Sequence, residues 1–153
     1  MMDNPTETYR IRRIGTIESP YRNMDDIPIQ ASRSTTRGRI AVFEDYAEGL
    51  KDVEGFSHIT AIYRFHLSLE EKLVVKPFLD GERRGVFSTR APWRPNLIGV
   101  STFRLVSRKG NILEVEGVDV VDGTPLLDIK PYVPQFDDRK ADKIGWLEGR
   151  LGR

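Results

Sequence analysis

Cysteine is absent from the 153 residues. That excludes a disulfide framework, a thiolate nucleophile and a cysteine zinc site. Histidine is scarce, with only His58 and His66, so no His-rich metal site is expected. The 13 glycines never fall two apart. The G-x-G fingerprint of a Rossmann fold is therefore missing, and so is a Walker phosphate loop. No G-x-S-x-G nucleophile elbow occurs either. No apolar run approaches the ~18–20 residues of a membrane span, and no membrane partner is expected. The first residues are polar, unlike a secretory signal, which makes a cytoplasmic location the expectation. A charge excess is also lacking, with 24 Lys and Arg against 23 Asp and Glu. Any nucleic-acid contact must then come from local clustering of positive charge.

What is present starts with arginine, 17 of the 24 basic residues. Arg favours planar, bidentate recognition of phosphate and carboxylate. Apolar residues recur with period two. From Ile59 to Leu67 the odd positions are Ile59, Ala61, Tyr63, Phe65 and Leu67, which predicts a strand with one apolar face. Tyr9 to Ser19, Gly38 to Phe43 and Ile98 to Ser107 read as further strands. Ile112 to Val121 follows the break Arg108-Lys109-Gly110-Asn111, which predicts a hairpin. Leu126 to Ile129 is a short candidate strand, and Asp45 to Asp52 a short helix. Many short strands with little helix predict a mainly β fold, a small antiparallel β-barrel with one or two short helices. Residues 9–137 would form this domain. Residues 138–153 form a charged tail whose apolar dipeptide Trp146-Leu147 either docks or frays.

Three segments carry candidate chemistry. Arg90-Ala-Pro-Trp-Arg94-Pro-Asn96 is a Pro-stiffened loop with two arginines and Trp93. It fits a phosphate backbone with a stacked base, and equally a rigid surface turn. Asp122-Gly123-Thr124-Pro125 is a turn that can offer N–H groups and a carboxylate, or merely connect strands. Lys130-Pro131-Tyr132 holds a Tyr ready to stack or donate, or is extended edge structure. His66 is either a hydrogen-bonded structural residue or a proton carrier.

In chain order these segments resemble the TrmO (TsaA-like, YaeB-like) family of tRNA methyltransferases. The matching runs are Ile14-Gly-Thr-Ile-Glu-Ser-Pro-Tyr21, Gly49-Leu-Lys-Asp-Val-Glu-Gly-Phe-Ser-His58, Gly85 to Ser101 and Asp119 to Tyr132. Together they cover roughly residues 9 to 137. The resemblance implies a β-barrel that binds S-adenosylmethionine without a Rossmann sheet and works as a homodimer. It implies methylation of N6 of threonylcarbamoyl-adenosine beside the anticodon of threonine-accepting tRNA, and methyl transfer from a sulfonium needs no metal. Position by position, it assigns the cofactor to Gln30, Ala31, Ser32, His66, Leu67, Arg90, Val100, Asp122, Gly123, Thr124 and Pro125. It assigns the tRNA to Arg90, Trp93, Arg94, Lys130 and Tyr132. Ala91, Trp93 and Leu97 stand where members often carry Ser, His and Pro.

Methyl transfer from a sulfonium needs an in-line acceptor and a route for the departing proton. Asp122, His66 and Tyr132 are the available acceptors of that proton, and the sequence does not choose among them. Two rivals remain at this point. One is a non-catalytic RNA-binding barrel, the other an S-adenosylmethionine-dependent methyltransferase acting on a small molecule.

Overall fold

Burial follows the sequence alternation closely. In β3 (His58–Arg64) Ile59, Ala61 and Tyr63 are buried, while Thr60, Ile62 and Arg64 face outward. The chain is described by a computed structural model over residues 4–28 and 35–151. The other strands are β1 (Gly15–Glu18), β2 (Arg37–Val42), β4 (Val74–Val75), β5 (Arg84–Gly85), β6 (Ile98–Lys109), β7 (Ile112–Glu116) and β8 (Thr124–Pro131). Six of them close into a barrel in the order β1-β2-β7-β6-β3-β8, every pair antiparallel. This is the small antiparallel barrel that the period-two pattern predicts. Ile17, Ile40, Ile59, Phe103, Leu113 and Leu126 fill it, each fully buried. A six-stranded barrel is narrow enough for side chains to pack its interior solid.

Several boundaries differ from the sequence reading. The first strand begins at Gly15, not Tyr9; ahead of it, Arg12 and Arg13 lie over the rings of Tyr46 and Phe43. β7 stops at Glu116, where the N–H groups of Gly117 and Val118 both donate to the Thr36 carbonyl. Val118, Val120 and Val121 stay buried beyond it, the first two packed into the barrel core. The Asp45 to Asp52 region is a 3-10 turn over Glu44–Leu50. The one α-helix among the described residues, α1 (Pro134–Asp137), is four residues long. The tail docks: the Trp146 indole N–H donates to the Ser88 carbonyl at 2.8 Å. Among the described residues, no helix is long and apolar enough to cross a membrane.

β3 and β6 are neighbours in the barrel, and the long connection between them leaves and returns at the same end. This connection carries the β4–β5 ladder and the Arg90–Asn96 loop. Phe65 N–H donates to the Leu97 carbonyl at 2.8 Å, and Lys72 N–H to the Trp93 carbonyl at 3.1 Å. These bonds fasten the connection beside the barrel mouth.

Candidate active site

The end of β3 carries the site. Tyr63 lies opposite Gly99 of β6, and the β3–β8 register slips between Ile62 and Tyr63. Such a bulge re-aims the side chains that follow it. Gly99 has a steric role. A Cβ there would meet Tyr63 Cε2 at 2.5 Å and Phe65 Cζ at 2.7 Å. The two rings stand edge to face, 5.5 Å apart, in the space that the glycine leaves.

Below the rings runs a buried chain of hydroxyls. The Ser101 hydroxyl donates to Asp119 Oδ1 at 2.6 Å. Its single proton is thereby used, so the Tyr63 hydroxyl donates to Ser101 Oγ at 2.8 Å. Burial, reinforced by the nearby Asp119 carboxylate, pushes the Tyr63 phenol well above its ordinary value. Burial also raises the Asp119 carboxyl, against the opposing Ser101 hydrogen bond and the Arg90 charge. Asp119 was not among the sequence candidates. The signal was a lone carboxylate amid buried valines, Val118-Asp119-Val120-Val121, which alternation alone assigns to the outer face of a strand.

Two cavities meet at this wall, and Tyr63, Phe65 and Asp119 line both. The smaller, of about 40 Å³, is also lined by Met24, Ile27, His66, Leu67 and Thr124. The larger, of about 410 Å³, is also lined by Thr89, Arg90, Arg94, Gly99 and Val100. His66 lies just beyond the strand. Burial lowers its imidazole pKa, with Arg13 and Arg64 adding to the effect. Its Nδ1 is buried without a hydrogen-bond partner among the described residues. A neutral imidazole with one nitrogen unsatisfied is an opening for a ligand.

The fold brings His66, Leu67, Thr124, Arg90, Arg94 and Val100 to these adjoining cavities. Arg94 also pins its own loop, donating to the carbonyls of Thr89 and Ala91. Arg90 is exposed and makes no ion pair among the described residues. Trp93 is half-buried, with the Lys72 ammonium 5.3 Å from its ring.

Other candidates lie elsewhere. The Asp122 carboxylate accepts from Ser19 N–H at 3.0 Å, and with Gly123 it faces a shallow groove bearing Arg37 and Arg39. Gly123, at φ +82°, makes the turn that sends Thr124 back toward His66. Pro125 pairs with Thr16 in the barrel wall. Lys130 is opposite Thr60 and ion-paired to Asp128. Tyr132 bonds to Asp138 and to the backbone of His58, at the other end of β3. That is roughly 16 Å from Tyr63 at ~3.3 Å per residue. Gln30, Ala31 and Ser32 lie outside the described residues. Among the described residues no group of three His, Asp or Glu could hold a metal ion.

Residues 16–138 match the tRNA-methyltransferase O N-terminal domain. The chain belongs to that family. A probable S-adenosyl-L-methionine-binding protein of Pyrococcus abyssi is 56% identical over 138 residues, covering 90% of this chain and 75% of that protein. The human tRNA (adenine(37)-N6)-methyltransferase is 38% identical over 133 residues, 81% of this chain but 30% of the enzyme. The crystal structure of TrmO from Pseudomonas aeruginosa superposes with a TM-score of 0.78 at 34% identity, over 92% of this chain and 63% of that one. The chain therefore spans less than two thirds of the solved TrmO chain and under a third of the human enzyme. The family match ends eight residues before Trp146, so the docked tail lies beyond it.

Proposed function

We propose that this protein is an S-adenosylmethionine-dependent methyltransferase acting on N6 of the threonylcarbamoylated adenosine beside a tRNA anticodon. The observation that carries the reading is the Asp119 wall. One desolvated carboxylate stands between a slot with an unsatisfied imidazole and a cavity with a free guanidinium. The names of the Pyrococcus and human relatives supply the cofactor and substrate classes.

The residues present fit the cofactor. A volume of about 40 Å³ takes one small group, so a nucleoside must lie mainly in the ~410 Å³ cavity, a usual size for a ligand pocket. Tyr63, Phe65 and Val100 give that cavity apolar walls, and His66 Nδ1 gains the partner it lacks. S-adenosylmethionine supplies a methyl group on a sulfonium, which no residue of the chain could provide. The remaining tasks belong to the protein. The acceptor N6 is amide-like and must lose its proton. Asp119 takes it: burial makes this carboxylate a stronger base than a solvated one, and Ser101 fixes its orientation. Arg90 grips the threonyl carboxylate in a bidentate pair.

A homodimer belongs to the same reading. The outer face of β6 exposes Ile98 and Val100 at the cavity rim, an apolar pair for a second copy to cover. A cytoplasmic setting follows from tRNA as substrate. Mass spectrometry of tRNA nucleosides after incubation with protein and cofactor is the deciding test. A gain of one methyl on threonylcarbamoyl-adenosine is expected. No change in tRNA, or a methylated metabolite instead, overturns the reading. Arg90→Ala should lower methyl transfer at least tenfold, about 1.4 kcal/mol of transition-state stabilisation. Arg90→Lys should rescue poorly, because an ammonium lacks the planar fork.

A further inference from the structure

The proposed site leaves one large feature unused. A cleft of about 670 Å³ adjoins the Arg90 cavity and shares Thr89 and Arg90 with it. Its walls are aromatic: Phe78, Phe87, Trp93 and Trp146. Phe78 is 81% and Phe87 76% exposed, and exposed aromatic surface gathered in one cleft marks an interaction site. On the far side, a third cavity of about 290 Å³ shares Lys76 and Trp93 and adds Lys72 and Arg83. Lys76 and Arg83 make no ion pair among the described residues. Two cations without anions thus flank the exposed rings, and Thr89 and Arg90 join this cleft to the cavity that Asp119 lines.

The tail is held so as to complete this cleft. Trp146 is anchored to the Ser88 carbonyl, and the Arg84 guanidinium lies 5.7 Å from its ring. Arg150 donates to the Trp146 carbonyl at 2.5 Å and pairs with Asp80 at 3.6 Å. Asp80 also binds Arg84, so one carboxylate ties the tail to the β4–β5 ladder. A charged tail with no task beyond covering apolar surface would bury its Trp; this one keeps it as the wall of a cleft.

We infer that the cleft between Phe78, Phe87, Trp93 and Trp146 is a nucleobase-stacking site for single-stranded RNA flanking the modified adenosine, with the C-terminal tail as its outer wall. Aromatic platforms interleaved with unpaired cations are how proteins hold single strands without reading sequence. An apolar ligand would leave the cations unanswered, and a small anion would leave the rings bare. RNA answers both. The inference rests on the tRNA reading above, but its test is separable from it.

The probe is a fluorescein-labelled, unstructured oligouridylate, with binding read by anisotropy at low salt. Phe87→Ala and Trp146→Ala should each weaken binding by about fivefold or more, the lower end for loss of one stacked base. Phe87 is exposed enough that its removal leaves the fold intact. Cofactor affinity by calorimetry and molar mass by light scattering should not change. Unaltered RNA affinity in both variants overturns the inference. So does a fall in molar mass, which would make the cleft a contact with a second copy, or a loss of cofactor affinity, which would give it to the cofactor. RNA binding that depends on these rings in a protein that methylates no tRNA would sink the proposed function and leave the cleft standing.

Discussion

Asp119→Asn should lower methyl transfer by about 10²–10⁴-fold, the usual worth of a positioned general base. The amide keeps the shape and can still accept from Ser101, so the Tyr63–Ser101 chain stays in place. What it loses is the capacity to take a proton. Cofactor affinity should change little. An equal loss of cofactor affinity, with turnover of the saturated enzyme intact, would instead make Asp119 a cofactor ligand. The same variant should be more stable at neutral pH. Burial holds the Asp119 carboxyl above its ordinary 3.8 in the fold. A raised folded value means that stability is fully present below the unfolded value and is lost as pH rises through the folded one. Asn carries no such loss. Its melting temperature relative to the parent should therefore climb across that interval and remain higher at pH 7. A variant both inactive and less stable would mark a packing role.

Gly99→Ala should cost about 10²-fold in methyl transfer and ~1–3 kcal/mol of stability. The added methyl meets two rings at 2.5 and 2.7 Å, so at least one must move. Tyr63 is buried and bonded to Ser101, which leaves it little freedom. Forcing it aside overpacks the core, typically at ~1–3 kcal/mol. A displacement on the order of 1 Å in a reacting geometry is worth about 10²-fold. Gly85→Ala is the control. No atom lies within 4 Å of a Cβ there, so stability should hold within about 0.5 kcal/mol. Denaturant melts and turnover assays of both variants check the pair. Similar behaviour of the two would mean that the rings at Gly99 yield freely.

The barrel was legible because its strands are half-buried and alternate cleanly, as Ile59 to Arg64 and Ile112 to Glu116 do. Alternation reports burial, not pairing, and this is where the reading slipped. Val118 to Val120 alternate as a strand would, yet they lie beyond β7 without a ladder partner. Asp119 holds the outward place in that pattern, and nothing in the alternation marks it as part of a site. The site itself was readable only where local chemistry announced it, at Arg90, His66 and the Asp-Gly-Thr-Pro turn. That turn splits its members, sending Asp122 to one groove and Thr124 to another cavity, which spacing alone does not reveal. The β4–β5 ladder, two residues per strand, is too short to leave a periodic trace.

The connection from β3 to β6 bears on how such a protein changes over generations. Its two ends are stapled by strands that pair residue for residue, from His58 with Arg104 to Arg64 with Ile98. The barrel closes through that register whatever the chain between does. Lengthening a loop whose ends are already fixed is cheap in chain entropy, about 0.6 kcal/mol per doubling. Yet this segment holds Arg90, Trp93, Phe78 and Phe87. Drift in substrate preference is thereby uncoupled from survival of the fold: insertions and aromatic swaps fall on the connection, while the six-stranded wall and the Asp119 segment outside it stay as they are.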